Sequence, residues 1–327
     1  FSLLVIILLS FACYFFSTIK FVPFLFVGIF LLRLSGQGLM SHTATTTVSR
    51  YFEKTRGKAL SITWLGLSCA EFILPVLIVF MLATISWRNI WITISIIVLS
   101  SLPFISFFLI KKLNLTSREN NVISEKKNSI IKQWSRSEVI KDYRFYIIAL
   151  NMLAMPTIAT GVFVYQSFII SSKNWGPYVI AQSFMSYSFF SVITLFLTGF
   201  LIDKFSSRKL LIYMNIPILL SMIVLYLFAK PFSSYIFLGL IGITNGFANV
   251  LGSSTWAEIY GVKFIGAIKA LTTSMMVFST AFGTAIFGIA IDKGYTIQFI
   301  ALFSIAYIVI SLLVLLFFRN RLNPTFI

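Results

Sequence analysis

Two ionisable side chains stand inside long apolar runs of the sequence, Arg33 and Glu71. A charge placed in hydrocarbon costs at least about 2.5 kcal/mol even on lenient insertion scales, so each marks a functional position by default. Counted from the nearest basic loop, Arg33 is about 16 residues in and Glu71 about 13, depths of roughly 20–24 Å at the helical rise. The two are expected to meet. One reading is a fixed salt bridge holding two helices together. The other is a transport site, in which Arg33 draws in an anionic group while Glu71 takes up and releases a proton. Desolvation raises a carboxylate's pKa and a neighbouring guanidinium lowers it, so Glu71 would switch as Arg33 engages or leaves.

Helical geometry says what accompanies each. At about 100° per residue, Gln37, Met40, Ala44 and Thr47 fall on the Arg33 side, and His42 points away. Trp64, Ser68, Glu71 and Pro75 share a face of the next run. In the second half of the chain the polar groups are amides and hydroxyls. Tyr165 and Gln166 are adjacent, with Thr157, Gly161 and Tyr165 spaced by four. Asn245, Asn249 and Ser253 form a similar stripe. Gly239, Gly242 and Gly246 read as a helix-packing surface.

These residues need membrane-spanning helices to hold them. The chain has 327 residues, is 58% hydrophobic and only 11% charged, and carries a net charge of +17. An ordinary soluble domain has about 25% charged residues. Spans of roughly 20 apolar residues divide the chain into about ten, at 1–17, 21–48, 58–82, 88–110, 145–170, 177–202, 210–229, 232–256, 264–290 and 295–318. The stretch 111–144 is the one long polar segment. Within it Ser135-Arg-Ser-Glu138 has the pattern of a capping box, which predicts a short helix.

Positive charge is distributed by side. Segments 49–58, 111–144, 203–209 and 257–269 and the C-terminus hold 20 of the 26 Lys and Arg residues, which makes that face cytoplasmic. The asymmetry accounts for the net charge without any nucleic acid. Cys13 and Cys69 lie in apolar runs and offer neither a disulfide framework nor metal-ligand spacing. No His-Glu-x-x-His, Gly-x-Ser-x-Gly or glycine-rich phosphate loop occurs, and there is one histidine. An enzyme, a bound metal, a cofactor and direct ATP driving are not expected.

One loop carries a motif. Gly199, Asp203, Lys204, Arg208 and Lys209 lie between two apolar runs in the order glycine, three residues, Asp-Lys, three residues, basic pair. The glycine suits close helix approach, and the aspartate is placed to accept from the first free N–H groups of the following helix. This loop resembles the signature loop of major facilitator superfamily transporters. The loops Arg50 to Leu60 and Glu258 to Leu271 are similar to that family's connections between helices four and five and between helices ten and eleven.

The resemblance implies an all-α, two-lobe bundle in which the first span here corresponds to the family's third helix, as in a member lacking the first two. It implies an incomplete four-helix lobe over 1–110, a cytoplasmic linker over 111–144 and a six-helix lobe over 145–327. The loop is a cytoplasmic latch in the family, and Glu258 is its expected partner here. The implied function is secondary active transport of a small organic solute by alternating access, with proton coupling resting on Glu71. The implied protein is a multi-pass monomer in a bacterial inner membrane, whose partners are its substrate, protons and lipid. Arg33, Gln37, Trp64, Glu71, Tyr165, Gln166, Asn245 and Asn249 form the expected pathway. A small monoanion is the favoured substrate; an amino acid derivative or a polar neutral solute also fits. A receptor or sensor on the same fold, or a drug exporter, is the alternative, although Gly66 to Pro75 lacks the Gly-Pro-x-x-Gly-Gly run of proton-driven drug exporters.

Overall fold

The computed structural model describes residues 1–52, 55–82, 84–112, 132–176 and 179–324. Among these residues the regular structure is helical throughout. Eight helical stretches are long and apolar enough to cross a membrane: Val22–Tyr51, Trp87–Phe108, Tyr143–Val164, Gln182–Phe205, Ser207–Leu227, Ser233–Tyr260, Ile265–Asp292 and Ile297–Phe317. The other two expected spans are also helices. One is the apolar 17-residue helix Ser2–Thr18, and the other is the 27-residue helix Arg56–Leu82.

The chain divides into two compact units, Phe1–Tyr51 with Cys69–Ser129, and Phe52–Ser68 with Ile130–Ile327. In the first, Ser2–Thr18 packs along Trp87–Lys112. Ser10 and Ser95 are buried and face each other, each hydroxyl donating to the other's carbonyl, at 3.0 and 2.8 Å. Small hydroxyl residues let helices approach closely and satisfy their own polar atoms where no water is available. Phe16 closes this seam against Trp91, ring centroids 4.9 Å apart.

The second unit is built on the pair Val179–Phe205 and Ser233–Tyr260. The glycine stripe expected to pack helices does so: a Cβ on Gly242 would collide with the carbonyl oxygen of Tyr187, and one on Gly246 would sit 2.6 Å from that of Ser191. Ile158, Ile218, Met222, Phe237, Ile241 and Ile308 fill the core behind this pair.

Two expected spans are interrupted. The first consists of Tyr143–Met152, Ala154–Val164 and Gln166–Lys173, and the second of Ser207–Met214 and Ile216–Leu227. Pro156 and Pro217 lie just past the breaks at Leu153 and Asn215. A proline lacks the N–H that would continue the ladder. The carbonyl of Asn151, beside the first break, accepts from the buried Asn215 amide at 2.7 Å, so one break helps satisfy the other.

The Ser135–Glu138 capping box forms as expected and starts the helix Arg136–Lys141. This end of the linker is docked. Gln133 accepts from the N–H groups of Val262 and Lys263, both at 3.0 Å, beneath Gly261 at φ 80°. The ring of Trp134 meets that of Tyr260 edge-on, centroids 5.6 Å apart.

Candidate functional site

Two sites take shape, one in each unit. The first is the span that carries Arg33. Its sequence Arg-Leu-Ser-Gly-Gln-Gly-Leu-Met runs as an eight-residue π-helix, Arg33–Met40, between the α-helices Val22–Leu32 and Ser41–Tyr51. Local chemistry favours this. Gly36 and Gly38 supply no side-chain packing, and the Ser35 hydroxyl donates back to the carbonyl of Leu31 at 2.7 Å, which bends a helix. π segments concentrate at functional positions.

The π segment alters the face predicted from the sequence. Its i→i+5 bonding holds about 4.4 residues per turn, roughly 80° each. Gln37 stays on the Arg33 side, and both residues are exposed. Past Met40 the helix lags a pure α count by more than about 100°. Met40, Ala44 and Thr47 therefore leave the Arg33 side, and His42, read from the sequence as pointing away, comes round toward it. The expectation of an uninterrupted α-helix is corrected here, and the cause is the glycine pair. Glu71 lies on the Arg56–Leu82 helix, but its side chain falls outside the described residues, and so does the Arg33–Glu71 pairing.

The other expected pathway residues are placed separately. Trp64 is half-buried, with its indole Nε1 buried and without a hydrogen-bond partner among the described residues. Tyr165 occupies the break between Ala154–Val164 and Gln166–Lys173, and its hydroxyl lies where a Cβ on Gly288 would be. Gln166, which follows, is half-buried. Asn245 donates to the Ser191 hydroxyl at 3.0 Å across the central helix pair, which directs it into a helix contact. Asn249, one turn on, is half-buried.

The second site is the charged loop, and here the geometry is specific. Asp203, at the end of Val179–Phe205, accepts from the backbone N–H groups of Gly57 (2.9 Å) and Lys58 (3.2 Å). It thus caps the N-terminus of Arg56–Leu82, whose first N–H groups lack intrahelical partners. The expectation that Asp203 would cap the helix following its own loop is corrected. Glu258 does that instead, accepting from the N–H of Ser207 at 2.8 Å and from the Ser207 hydroxyl. Ser206, with φ 74°, makes the tight turn that presents Ser207 to it.

Arg208 Nε stands 3.2 Å from Glu258 Oε1, close enough for charge attraction but not aligned for a hydrogen bond. The Arg208 guanidinium also donates to the side-chain oxygen of Asn323. Lys204 extends over the Phe205 ring at 5.2 Å, and Lys58 over Phe200 at 5.1 Å.

Close helix approach makes the Asp203 contact possible. A Cβ on Gly57 would collide with the carbonyl oxygen of Gly199, and one on Gly199 would collide with the Ser61 hydroxyl. That hydroxyl donates to the carbonyl of Leu195 at 2.8 Å. Gly57 and Ser61 were not singled out from the sequence as contact residues. The available signal was a glycine between two bases at a helix start, Arg56-Gly57-Lys58, with a small residue one turn later.

The sequence model of the Major Facilitator Superfamily matches residues 1–185. The chain belongs to the major facilitator superfamily. No curated protein matches it. Membership agrees with the all-helical fold and its apolar spans, and makes this superfamily protein an integral, multi-pass membrane transporter.

Proposed function

We propose that this superfamily member is a secondary active transporter of a small organic monoanion, moved by alternating access and coupled to protons. The observation that carries the reading is Arg33. Its guanidinium is exposed at mid-span, in a π segment that also exposes Gln37, on a helix otherwise dominated by apolar residues. A planar cation with an amide beside it suits a carboxylate, which it binds through two parallel hydrogen bonds. Among the described residues the buried bases of the second half, Arg144, Lys173 and Lys269, lie near helix ends and not at mid-span, which disfavours a dianion.

Glu71 is proposed as the proton carrier, from its position inside an apolar run. Tyr165, Gln166 and Asn249 are proposed as polar lining, and Trp64 as an aromatic wall with a free indole N–H to offer. The contacts of Asp203 with Gly57 and of Glu258 with Ser207 and Arg208 are proposed as a latch that forms in one transport state and opens in the other. A bacterial inner membrane is the proposed location, with the base-rich face cytoplasmic.

The test is uptake of monocarboxylates into proteoliposomes under an imposed pH gradient. Wild type accumulates substrate uphill. Glu71→Gln abolishes accumulation and keeps exchange of internal for external substrate. Unchanged pH-driven accumulation in Glu71→Gln sinks the coupling assignment.

A further inference from the structure

The second unit has a basic pocket on the Lys/Arg-rich face that shares Arg208 with the proposed latch and is otherwise used by neither the latch nor the transport reading. It encloses about 380 Å³ between the start of Ser207–Met214 and the end of Ile297–Phe317 with the short 3₁₀ turn Arg319–Arg321 that follows. That volume lies within the ordinary range for small-ligand sites. Arg208, Lys209 and Arg319 line it, and no acidic residue does.

The three cations differ in their commitments. Arg208 is held by Glu258 and Asn323, which fixes its guanidinium at the pocket edge. The side chains of Lys209 and Arg319 make no hydrogen bond or ion pair among the described residues, so two positive charges are uncompensated. Asn320 adds a neutral polar group to the wall; its carbonyl accepts from the Asn323 amide at 3.1 Å. Ile212, Leu315 and Leu322 form the rest of the wall. Ile212 and Leu315 belong to apolar spans, so the pocket lies where two spans end; Leu315 and Leu322 are themselves buried, and the exposed apolar side chains at that end are the neighbouring Leu316 and Phe317.

We propose that this pocket binds the headgroup of an anionic phospholipid of the cytoplasmic leaflet. Lys209 and Arg319 take the phosphate oxygens, prepositioned Arg208 supplies the third charge, and half-buried Ile212 with the exposed Leu316 and Phe317 at the span end receives the glycerol and first acyl carbons. A soluble phosphate offers the same charge but has no use for the exposed apolar side chains at that span end, and this favours the lipid. Basic pockets at the cytoplasmic ends of spans collect anionic headgroups by combining Coulomb attraction with apolar contact.

The test uses the purified full chain, delipidated in a neutral detergent, with three additions: phosphatidylglycerol, phosphatidylcholine and inorganic phosphate. Phosphatidylglycerol raises the melting temperature by about 2–4 °C at saturation, because a ligand that binds only the folded state stabilises it. Phosphatidylcholine and inorganic phosphate do not. The double variant Lys209→Gln/Arg319→Gln loses the rise. Should that variant fail to fold, Asn320→Cys in a Cys69→Ser background gives a second readout. Phosphatidylglycerol then slows labelling of the pocket cysteine by a soluble maleimide several-fold, and phosphatidylcholine leaves the rate unchanged. Equal protection by phosphatidylcholine overturns the headgroup assignment. Equal protection by inorganic phosphate overturns the lipid as occupant, and a rise retained in the double variant overturns the site. None of these readouts involves Arg33 or Glu71, so they stand or fall apart from the transport reading.

Discussion

The carboxylate of Asp203 caps the helix that begins at Gly57: Oδ1 lies 2.9 Å from the Gly57 N–H and Oδ2 3.2 Å from that of Lys58, 146 and 145 residues away in sequence. A charged acceptor is thereby placed at the positive end of a 27-residue helix, where the dipole and the unbonded N–H groups both favour it. The bond is to backbone. The specificity therefore lies in position, and position depends on the absence of side chains at Gly57 and Gly199.

Replacing Asp203 separates charge from acceptor geometry. Asp203→Asn keeps one oxygen and loses the charge, while Asp203→Ala loses both. Loss of a cap costs about 1 kcal/mol, so Asp203→Ala lowers the melting temperature in detergent by about 2–4 °C. Asp203→Asn lowers it by less than half as much. Equal values for Asp203→Ala and wild type would show that the contact contributes nothing to this state.

The glycine pair responds unequally. Gly57→Ala directs a methyl group at the backbone oxygen of Gly199, which cannot rotate away, and overpacking of this kind costs typically about 1–3 kcal/mol. Gly199→Ala meets the Ser61 hydroxyl first. The double variant Gly199→Ala/Ser61→Ala therefore recovers part of the loss, and Gly57→Ala/Ser61→Ala recovers none. Folded yield on size-exclusion chromatography, with the melting temperature, checks both. Rescue of Gly57→Ala by Ser61→Ala would contradict the contact order.

The membrane class and the approximate outer ends of the spans follow from apolar run length, because a bilayer needs helices of roughly 20 residues and demands that they be apolar, whereas the internal breaks at Leu153, Tyr165 and Asn215 do not. The charged loop was legible for a similar reason: few arrangements put Gly, Asp, Lys and Arg together between two spans. The recipient of Asp203's bonds was not legible. Two N–H groups have no side-chain signature, and Gly57 carries the same letter whether it packs or turns. The π segment was equally hidden, since Gly36 and Gly38 fit an α-helix by periodicity, and only the hydrogen-bond ladder distinguishes the two. Nor did composition reveal the exchange of capping duties between Asp203 and Glu258, because both are acids near helix ends.

The capping box of the linker titrates at an unusual pH. Glu138 accepts from the Ser135 backbone N–H and pairs with Lys132 at 2.9 Å, which holds its carboxyl at about 2, below the ordinary 4.5. A carboxyl lowered on folding favours the folded state wherever the unfolded group is ionised. Its contribution is complete above about pH 4.5, declines below that, and is gone once pH falls through about 2. Wild type thus exceeds Glu138→Gln in stability at pH 6, and the difference narrows between pH 4.5 and 3. Paired melting curves across that range check the sign; a gap that widens on acidification would refute the assignment.

Arg33 distinguishes a substrate site from a structural ion pair. If its guanidinium receives a carboxylate in two-point fashion, Arg33→Lys keeps the charge but loses the planar fork. KM for the monoanion then rises about tenfold with little change in kcat, the pattern of lost ground-state binding, equivalent to about 1.4 kcal/mol. Arg33→Gln removes the charge and abolishes uptake while leaving the fold intact. A fixed pair with Glu71 makes the opposite forecast. Arg33→Lys would then transport normally, Arg33→Gln would lower the melting temperature by leaving a carboxylate unpaired in hydrocarbon, and Arg33→Gln/Glu71→Gln would restore it. Because the π segment brings His42 toward the Arg33 side, His42→Gln should raise KM less than Arg33→Lys does, whereas Ala44→Ser, rotated off that side, should leave KM unchanged. Uptake kinetics and melting curves on the same five variants decide between the readings. A KM shift for Ala44→Ser larger than that for His42→Gln would show that the span keeps its α register through Met40 during transport.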